Sequence, residues 1–295
     1  MIYSHFKLLT KFSIALFLFL VVVNGYVQGA ENCENKKVLL AILAKNKEHV
    51  LPKFLSCIDN LEYDKKLITV YINTNNNEDN TQEMLESWVK KNESKYSAII
   101  FESHEVQETQ STKPHEWTAE RFKVLGGIRN KSMQKTKECG CDYYFVVDCD
   151  NFIAPCTLKE LMSKDKQIIA PMLTAAPEKG DRYSNYFCAV DVSGYFAAHP
   201  DYMKILTHEM QGTFNVPVVH CTYLIKSECI DKLAYVDDTS DYEFVIFSKS
   251  ARNNGIEQYI CNEKDFGFLV HFYEDISLEE EKQRTLDLVA VTSTL

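Results

Sequence analysis

The chain has 295 residues, 45% of them hydrophobic and 25% charged, which suits one large α/β domain with a well-buried core and argues against a second full domain. A formal net charge of -10 at pH 7 argues against a nucleic-acid groove or an anionic membrane surface as the main partner. Acidic residues gather late, in Glu274-Asp275 and Glu279-Glu280-Glu281, as on the solvated face of a terminal helix.

In chain order, Lys7 and Lys11 precede an apolar run over residues 12–23, and small residues follow at Gly25, Gly29 and Ala30. This is the layout of a secretory signal peptide, too short for a comfortable bilayer span of about 20 residues. Cleavage after Gly29 is expected, with an uncleaved anchor as the alternative; only then is a membrane involved. Residues 31–275 form the expected domain and 276–295 an acidic tail. Ten cysteines suit the oxidising lumen of the secretory pathway (endoplasmic reticulum or Golgi) or the exterior, and their even count favours some disulfides. Cys139-Gly-Cys141 lacks the Cys-x-x-Cys spacing of a zinc knuckle, and no second close pair completes a ligand set. Asn92-Glu93-Ser94 is a glycosylation sequon in a polar stretch expected to be exposed, whereas Asn130-Lys131-Ser132 is expected to stay unmodified inside the site.

The mature chain then alternates strands and helices. An apolar strand over 38–44 leads to a helix over 48–61, with Val50, Leu51, Phe54, Leu55 and Ile58 at helical spacing. A strand over 67–72, an asparagine-rich loop over 73–81, a helix over 82–89, a strand over 98–101 and a helix over 119–136 follow. The fourth strand, from Tyr143, ends Val147-Asp148-Cys149-Asp150-Asn151. The pattern predicts an α/β, doubly wound, mainly parallel sheet with helices on both faces. Such sheets bind ligands at the C-terminal strand edge, where these acids emerge.

Asp148 and Asp150, two apart, can reach one hard cation that in turn holds phosphate oxygens. An Asp- and Asn-rich strand-end turn is the plainer reading of the same residues. The first strand ends Ala44-Lys45-Asn46-Lys47 without a glycine-rich turn, which excludes a Rossmann dinucleotide site. Asparagine amides in the second loop can bond a base or ribose while a cation anchors the diphosphate, a division of labour that describes a nucleotide-sugar site. Further on come a strand over 167–173, a loop over 182–188 bearing Tyr183, Asn185 and Tyr186, and a strand over 216–225 containing His220. Rings stack on sugar faces and amides bond hydroxyls, although each aromatic singly, like His220 in its apolar strand, is more often core. The acids of Asp237-Asp238-Thr239-Ser240-Asp241-Tyr242-Glu243 precede a helix over 244–254, and His271 follows a strand over 266–270.

The order of elements, with Gly127-Ile128-Arg129-Asn130 on a helix before the strand ending Asp148-Cys149-Asp150, resembles the GT-A glycosyltransferases of the family 2 type. More closely, the chain is similar to the N-terminal domain of the procollagen galactosyltransferases and their relative, cerebral endothelial cell adhesion molecule. The stretches that carry this are Leu39-Leu40-Ala41-Ile42-Leu43-Ala44-Lys45-Asn46, Asp79-Asn80-Thr81, Tyr183-Ser184-Asn185-Tyr186-Phe187-Cys188, Pro200-Asp201-Tyr202 and Val216-Pro217-Val218-Val219-His220. The resemblance implies that Asp148 approaches the ribose or the metal and Asp150 ligates Mn²⁺ or Mg²⁺, with His271 as a third ligand drawn from the wider GT-A pattern. It implies that Ala44, Asn46, Glu48 and Asn75 border the uracil and ribose and that Arg129 and Asn130 point to the nucleotide pocket; Asn185, Tyr186 and His220, in the second half, are expected on the acceptor side from their own chemistry. A paired-acid motif supplies the catalytic base, and both Asp241 and Glu243 fit it: spacing to Arg252 and Gly255 favours Glu243, the usual preference for Asp favours Asp241. Capping a helix N-terminus is an alternative role for these acids.

The expected function is metal-dependent, inverting transfer of a hexose, galactose foremost, from a UDP-sugar to a protein or glycan acceptor, collagen-like ones included. The rival reading is a catalytically inactive adhesion or carbohydrate-binding protein on the same fold. A sugar-nucleotide pyrophosphorylase is a lesser rival, disfavoured by the missing glycine-rich first loop.

Overall fold

A computed structural model describes residues 35–106, 118–175, 181–271 and 276–291. The chain divides after Lys36, and every element below belongs to the unit Lys37–Leu295. The expected signal peptide and its cleavage site lie outside the described residues.

The first half is four parallel strands joined by helices. Strand β1 (Val38–Ala44) leads to α1 (Leu51–Asp59), β2 (Ile68–Asn75), α2 (Thr81–Asn92), β3 (Ala98–His104), α3 (Ala119–Glu138) and β4 (Tyr143–Val147). β2 and β4 are buried along their whole length and β1 nearly so, as continuous apolar runs covered on both faces must be. The register is fixed by Val38 opposite both Ile68 and Tyr143, so the C-terminal ends of β1, β2 and β4 finish at one edge. β2 runs three residues further than its apolar pattern, because Asn73, Thr74 and Asn75 pair with Glu102, Ser103 and His104 of β3. Helix α3 opens with the Thr118 hydroxyl accepting from the Arg121 amide at 3.3 Å and is held close to the second half at Gly126. A Cβ there would stand 2.6 Å from the Tyr235 carbonyl oxygen.

The second half comprises β5 (Asn151–Ile153), α4 (Thr157–Ser163), β6 (Ile168–Pro171), β7 (Thr174–Ala175), β8 (Tyr186–Phe187), β9 (Ala189–Val190) and β10 (Phe196–Ala197). It continues through α5 (Pro200–Leu206), β11 (Thr213–Asn215), β12 (Val218–Val219), β13 (Thr222–Lys226), α6 (Glu243–Asn253), β14 (Gln258–Cys261), β15 (Gly267–Leu269) and α7 (Leu278–Val291). The main sheet has the order β11-β14-β6-β13-β4-β1-β2-β3. β13 is antiparallel to β4 and β6, and β11 to β14, so the sheet is mixed though mainly parallel. A small sheet, β5-β15-β7, takes up the chain directly after the acidic turn, since β5 begins at Asn151, whereas the strand before the turn, β4, lies in the main sheet. The strand expected over 216–225 is broken: β12 pairs with β8, β13 with β4, and His220-Cys221 make the turn between them.

Three expectations change here. Asn92 is fully buried, donating to the Trp88 carbonyl at 3.0 Å and accepting from Lys95 at 2.8 Å, so its sequon is closed to a glycan in the folded chain. The nine cysteines among the described residues are all free thiols, so no expected disulfide forms there. In the acidic tail, α7 does not simply face solvent: Glu281 and Thr285 are buried, and Arg284 bonds the His271 carbonyl. Among the described residues no helix is long and apolar enough to cross a membrane.

Candidate active site

The acidic turn after β4 is held in place by backbone. The Asp148 amide donates to the Cys221 carbonyl at 3.2 Å, Asn151 N–H to the Asp148 carbonyl at 2.9 Å, and Val270 N–H to the Asp150 carbonyl at 2.9 Å. The last bond brings His271 beside the turn from 121 residues beyond Asp150 in sequence.

Each acid has a basic partner. Arg129, 5% exposed, reaches Asp148 with Nη2 2.9 and 3.0 Å from the two carboxylate oxygens, and its Nε stands 3.6 Å from Glu243. Lys47, from the loop after β1, donates to Asp150 at 2.8 Å. Burial would pull the Lys47 ammonium down, but the charge and hydrogen bond of Asp150 lift it above its ordinary value. Burial also raises Asp148, and the Asp150 charge adds to this against the pull of Arg129. Glu243, the first residue of α6 and 5% exposed, is raised by burial and by the Asp148 charge, while Arg129 and the amides of residues 243 and 244 oppose the rise. One guanidinium therefore links the acid at the end of β4 to the helix-start acid. Asp241 faces elsewhere: it accepts from the Tyr195 hydroxyl at 3.1 Å, on the rim.

The two loops expected to frame a nucleotide interlock. Asn46 and Asn76, both at positive φ (53° and 44°), turn the chain at the ends of β1 and β2, a backbone region that asparagine tolerates better than most residues. Asn46 N–H donates to Asn77 Oδ1 at 2.9 Å, and Glu78 N–H donates to Asn46 Oδ1 at 2.8 Å. Thr74 Oγ1 donates to the Ala44 carbonyl at 2.8 Å, and Glu48 accepts from both the Asn80 amide N–H and its side chain at 2.9 Å. Asn46 and Glu48 therefore shape the edge by bonding its backbone. Ala44 and Asn75 are buried beside them at the strand ends.

Other expected residues separate. Asn130, expected at the nucleotide pocket, has its Oδ1 accepting from the Tyr235 amide at 2.9 Å and so fixes the segment before α6. Asn185 and Tyr186 were expected at the acceptor, yet both are fully buried. Asn185 bridges the Pro171 carbonyl and the Leu173 amide at 2.9 Å each, and the Tyr186 hydroxyl donates to the Tyr202 carbonyl at 2.8 Å. Backbone satisfaction of buried polar groups leaves them nothing to offer a substrate. His271 contacts Asp181 at 2.8 Å and stacks on Tyr183 with centroids 4.2 Å apart. Lys47 and Asp181 are the partners that the sequence patterns missed. Lys47 was legible only as the basic residue replacing a glycine-rich turn, and Asp181 gave no signal.

Among the described residues no three His, Cys, Asp or Glu side chains converge as a metal-holding group. The donor chemistry of Asp148 and Asp150 nonetheless fits a hard divalent cation, since two carboxylates share one turn, although here Arg129 and Lys47 occupy the places of positive charge beside them.

The family model for the glycosyltransferase family 25, N-terminal domain, matches residues 35–289. The chain belongs to this family. Human procollagen galactosyltransferase 2 is 33% identical over 246 residues, which cover 80% of this chain and 39% of that relative. The mouse inactive glycosyltransferase 25 family member 3 is 30% identical over 263 residues, covering 85% and 44%. The chain thus spans about two fifths of the length of these family 25 relatives. Among solved structures, GalNAc-T7 with UDP, GalNAc and Mn²⁺ aligns at a TM-score of 0.57 with 14% identity, covering 87% of this chain and 48% of that one. The last likeness shows the GT-A fold, so the expected α/β class and the family agree.

Proposed function

We propose that this domain transfers a hexose, galactose foremost, from a UDP-sugar to a protein or glycan acceptor, with inversion, in the lumen of the secretory pathway. The observation that carries the reading is the Arg129 link between Asp148, at the end of β4, and Glu243, at the start of α6. It brings to one place the carboxylate turn that would hold a diphosphate through a cation and a second carboxylate able to take a proton. Relatives named galactosyltransferases and a GT-A neighbour solved with UDP and Mn²⁺ support it.

In this mechanism Asp148 and Asp150 would hold Mn²⁺ or Mg²⁺, which when bound would supply positive charge for the departing UDP. The loops after β1 and β2 would frame the nucleoside, with Ala44 and Asn75 at the strand ends beneath them. Glu243 removes the proton of the acceptor hydroxyl; its raised proton affinity suits a general base. Asp241, bonded to Tyr195, holds the rim of the acceptor side. Calorimetry of UDP and UDP-galactose with and without Mn²⁺ tests the reading, and equal UDP affinity in EDTA sinks the metal-diphosphate part.

The second reading, an inactive carbohydrate-binding member, is favoured by the Lys47–Asp150 ion pair, which already matches the charge of one carboxylate, and by the relative named inactive. Sugar binding without Mn²⁺-dependent UDP binding would select it.

A further inference from the structure

His220 is 3% exposed, and its Nε2 is buried without a hydrogen-bond partner. A lone polar atom in such a place costs stability unless something outside the chain satisfies it. Its surroundings are rings: Tyr183 at 5.9 Å between centroids, Phe187 at 5.7 Å and Phe244 at 5.0 Å, each of them partly exposed. Its other nitrogen, Nδ1, lies 2.9 Å from Cys221 Sγ. The backbone here is a tight turn, in which Thr222 N–H donates to the His220 carbonyl at 2.7 Å and Cys221 has a φ of 65°. Positive φ at a cysteine is strained, and strain of this kind clusters at ligand sites.

The turn lies between the two halves of the proposed site. Cys221 accepts the Asp148 amide, Phe244 follows Glu243, and Tyr183 stacks on His271. We propose that His220 Nε2 is the hydrogen-bond partner of a sugar hydroxyl, seated as the edges of Tyr183, Phe187 and Phe244 give way around it. Apolar rings with one polar atom suit a sugar, which offers C–H faces and hydroxyls together. A hydroxyl also serves either tautomer of a neutral imidazole, since it both donates and accepts. Burial, followed by the Arg129 charge and against a smaller opposing pull from the Ser184 backbone, lowers the ring to about 3, so it stays neutral and is a poor base. That leaves recognition as its role and proton removal to Glu243.

The inference rests on the UDP-sugar reading, and its test separates the two. Calorimetry with Mn²⁺ compares UDP with UDP-galactose, UDP-glucose and UDP-N-acetylglucosamine on the wild-type chain, His220→Phe and His220→Gln, with folding checked by thermal melts. We expect His220→Phe to weaken the preferred UDP-sugar up to about tenfold, the worth of one hydrogen bond, while UDP is unchanged, and His220→Gln to recover part of the loss. A parallel arm follows methyl β-galactoside by saturation-transfer NMR in the presence of UDP. Loss of that signal in His220→Phe with donor affinity intact supports the same hydrogen bond and assigns the hydroxyl to the acceptor sugar. Should folded variants bind UDP, UDP-sugars and the galactoside as the wild type does, or lose all of them by one factor, the inference is overturned while the nucleotide reading stands. Wild-type failure to bind UDP or any UDP-sugar overturns both.

Discussion

At the ends of β1 and β2, side-chain amides and carboxylates bond the neighbouring loop's backbone; across the acidic turn, rings meet rings. The first edge is polar and closed on itself, with Asn46, Asn77, Glu48 and Thr74 all engaged. The second runs through Tyr183, His220, Phe244, Tyr242 and Phe122, with Tyr242 stacked on Phe122 at 4.2 Å. The difference teaches that the edge proposed to face the nucleotide is a rigid frame built by hydrogen bonds, which lose much of their worth when misplaced. The proposed sugar side relies on apolar area and stacking, which tolerate adjustment. Arg129 is the point at which the two regions are tied by charge.

The strongest way to break the polar side is Asp150→Ala. It should abolish Mn²⁺-dependent UDP binding and leave the melting curve near wild type, since Asp150 is only partly buried; calorimetry reads it. Next, Glu243→Gln should lower turnover by roughly 10²–10⁴-fold with UDP affinity kept, the usual share of a general base. Asp241→Asn should lose far less, because that residue is bonded to Tyr195 on the rim. Comparable losses in both variants would put the base outside Glu243. The tie itself is tested by Arg129→Met, which leaves Asp148 and Glu243 facing each other without a cation. Denaturant unfolding should show a loss of about 3–5 kcal/mol, the usual result of removing one partner of a buried ion pair.

A smaller effect sharpens the account of the frame. Asn46→Ala forfeits a left-handed residue and the bond from Glu78, which should cost roughly 1–2 kcal/mol of stability while changing UDP affinity little. A large loss of UDP affinity without loss of stability would show that the amide touches the nucleotide directly. Smallest is a pH effect. Glu243 accepts a proton only when ionised, and burial raises its pKa, so activity should fall on acidification through a value above the ordinary glutamate range. A pH-rate profile whose acid limb sits at or below that range would contradict a buried base.

Much of this was legible in the chain. The run ending Val147-Asp148-Cys149-Asp150 marks a buried strand and its exit edge, because only apolar side chains can fill both faces of a central strand. The helical spacing from Val50 to Ile58 likewise locates α1, although its start falls three residues later than the pattern suggests, at Leu51. Asn73 and Asn75 read as loop and are strand, since pairing with β3 satisfies their backbone regardless of propensity. Asn185 and Tyr186 read as acceptor groups because of their chemistry alone; burial against Pro171, Leu173 and Tyr202 is a property of packing that spacing does not encode.

The sequence by itself determined the alternation of elements, the acidic turn and the family, since periodicity and short motifs are local properties of the chain. Only the tertiary structure decided that Lys47 meets Asp150, that Arg129 joins Asp148 to Glu243 while Asp241 turns to Tyr195, and that His220 sits in a strained turn among rings. Those pairings join residues from 19 to 114 positions apart, and electrostatic and packing energies depend on distance in space, which sequence separation does not give.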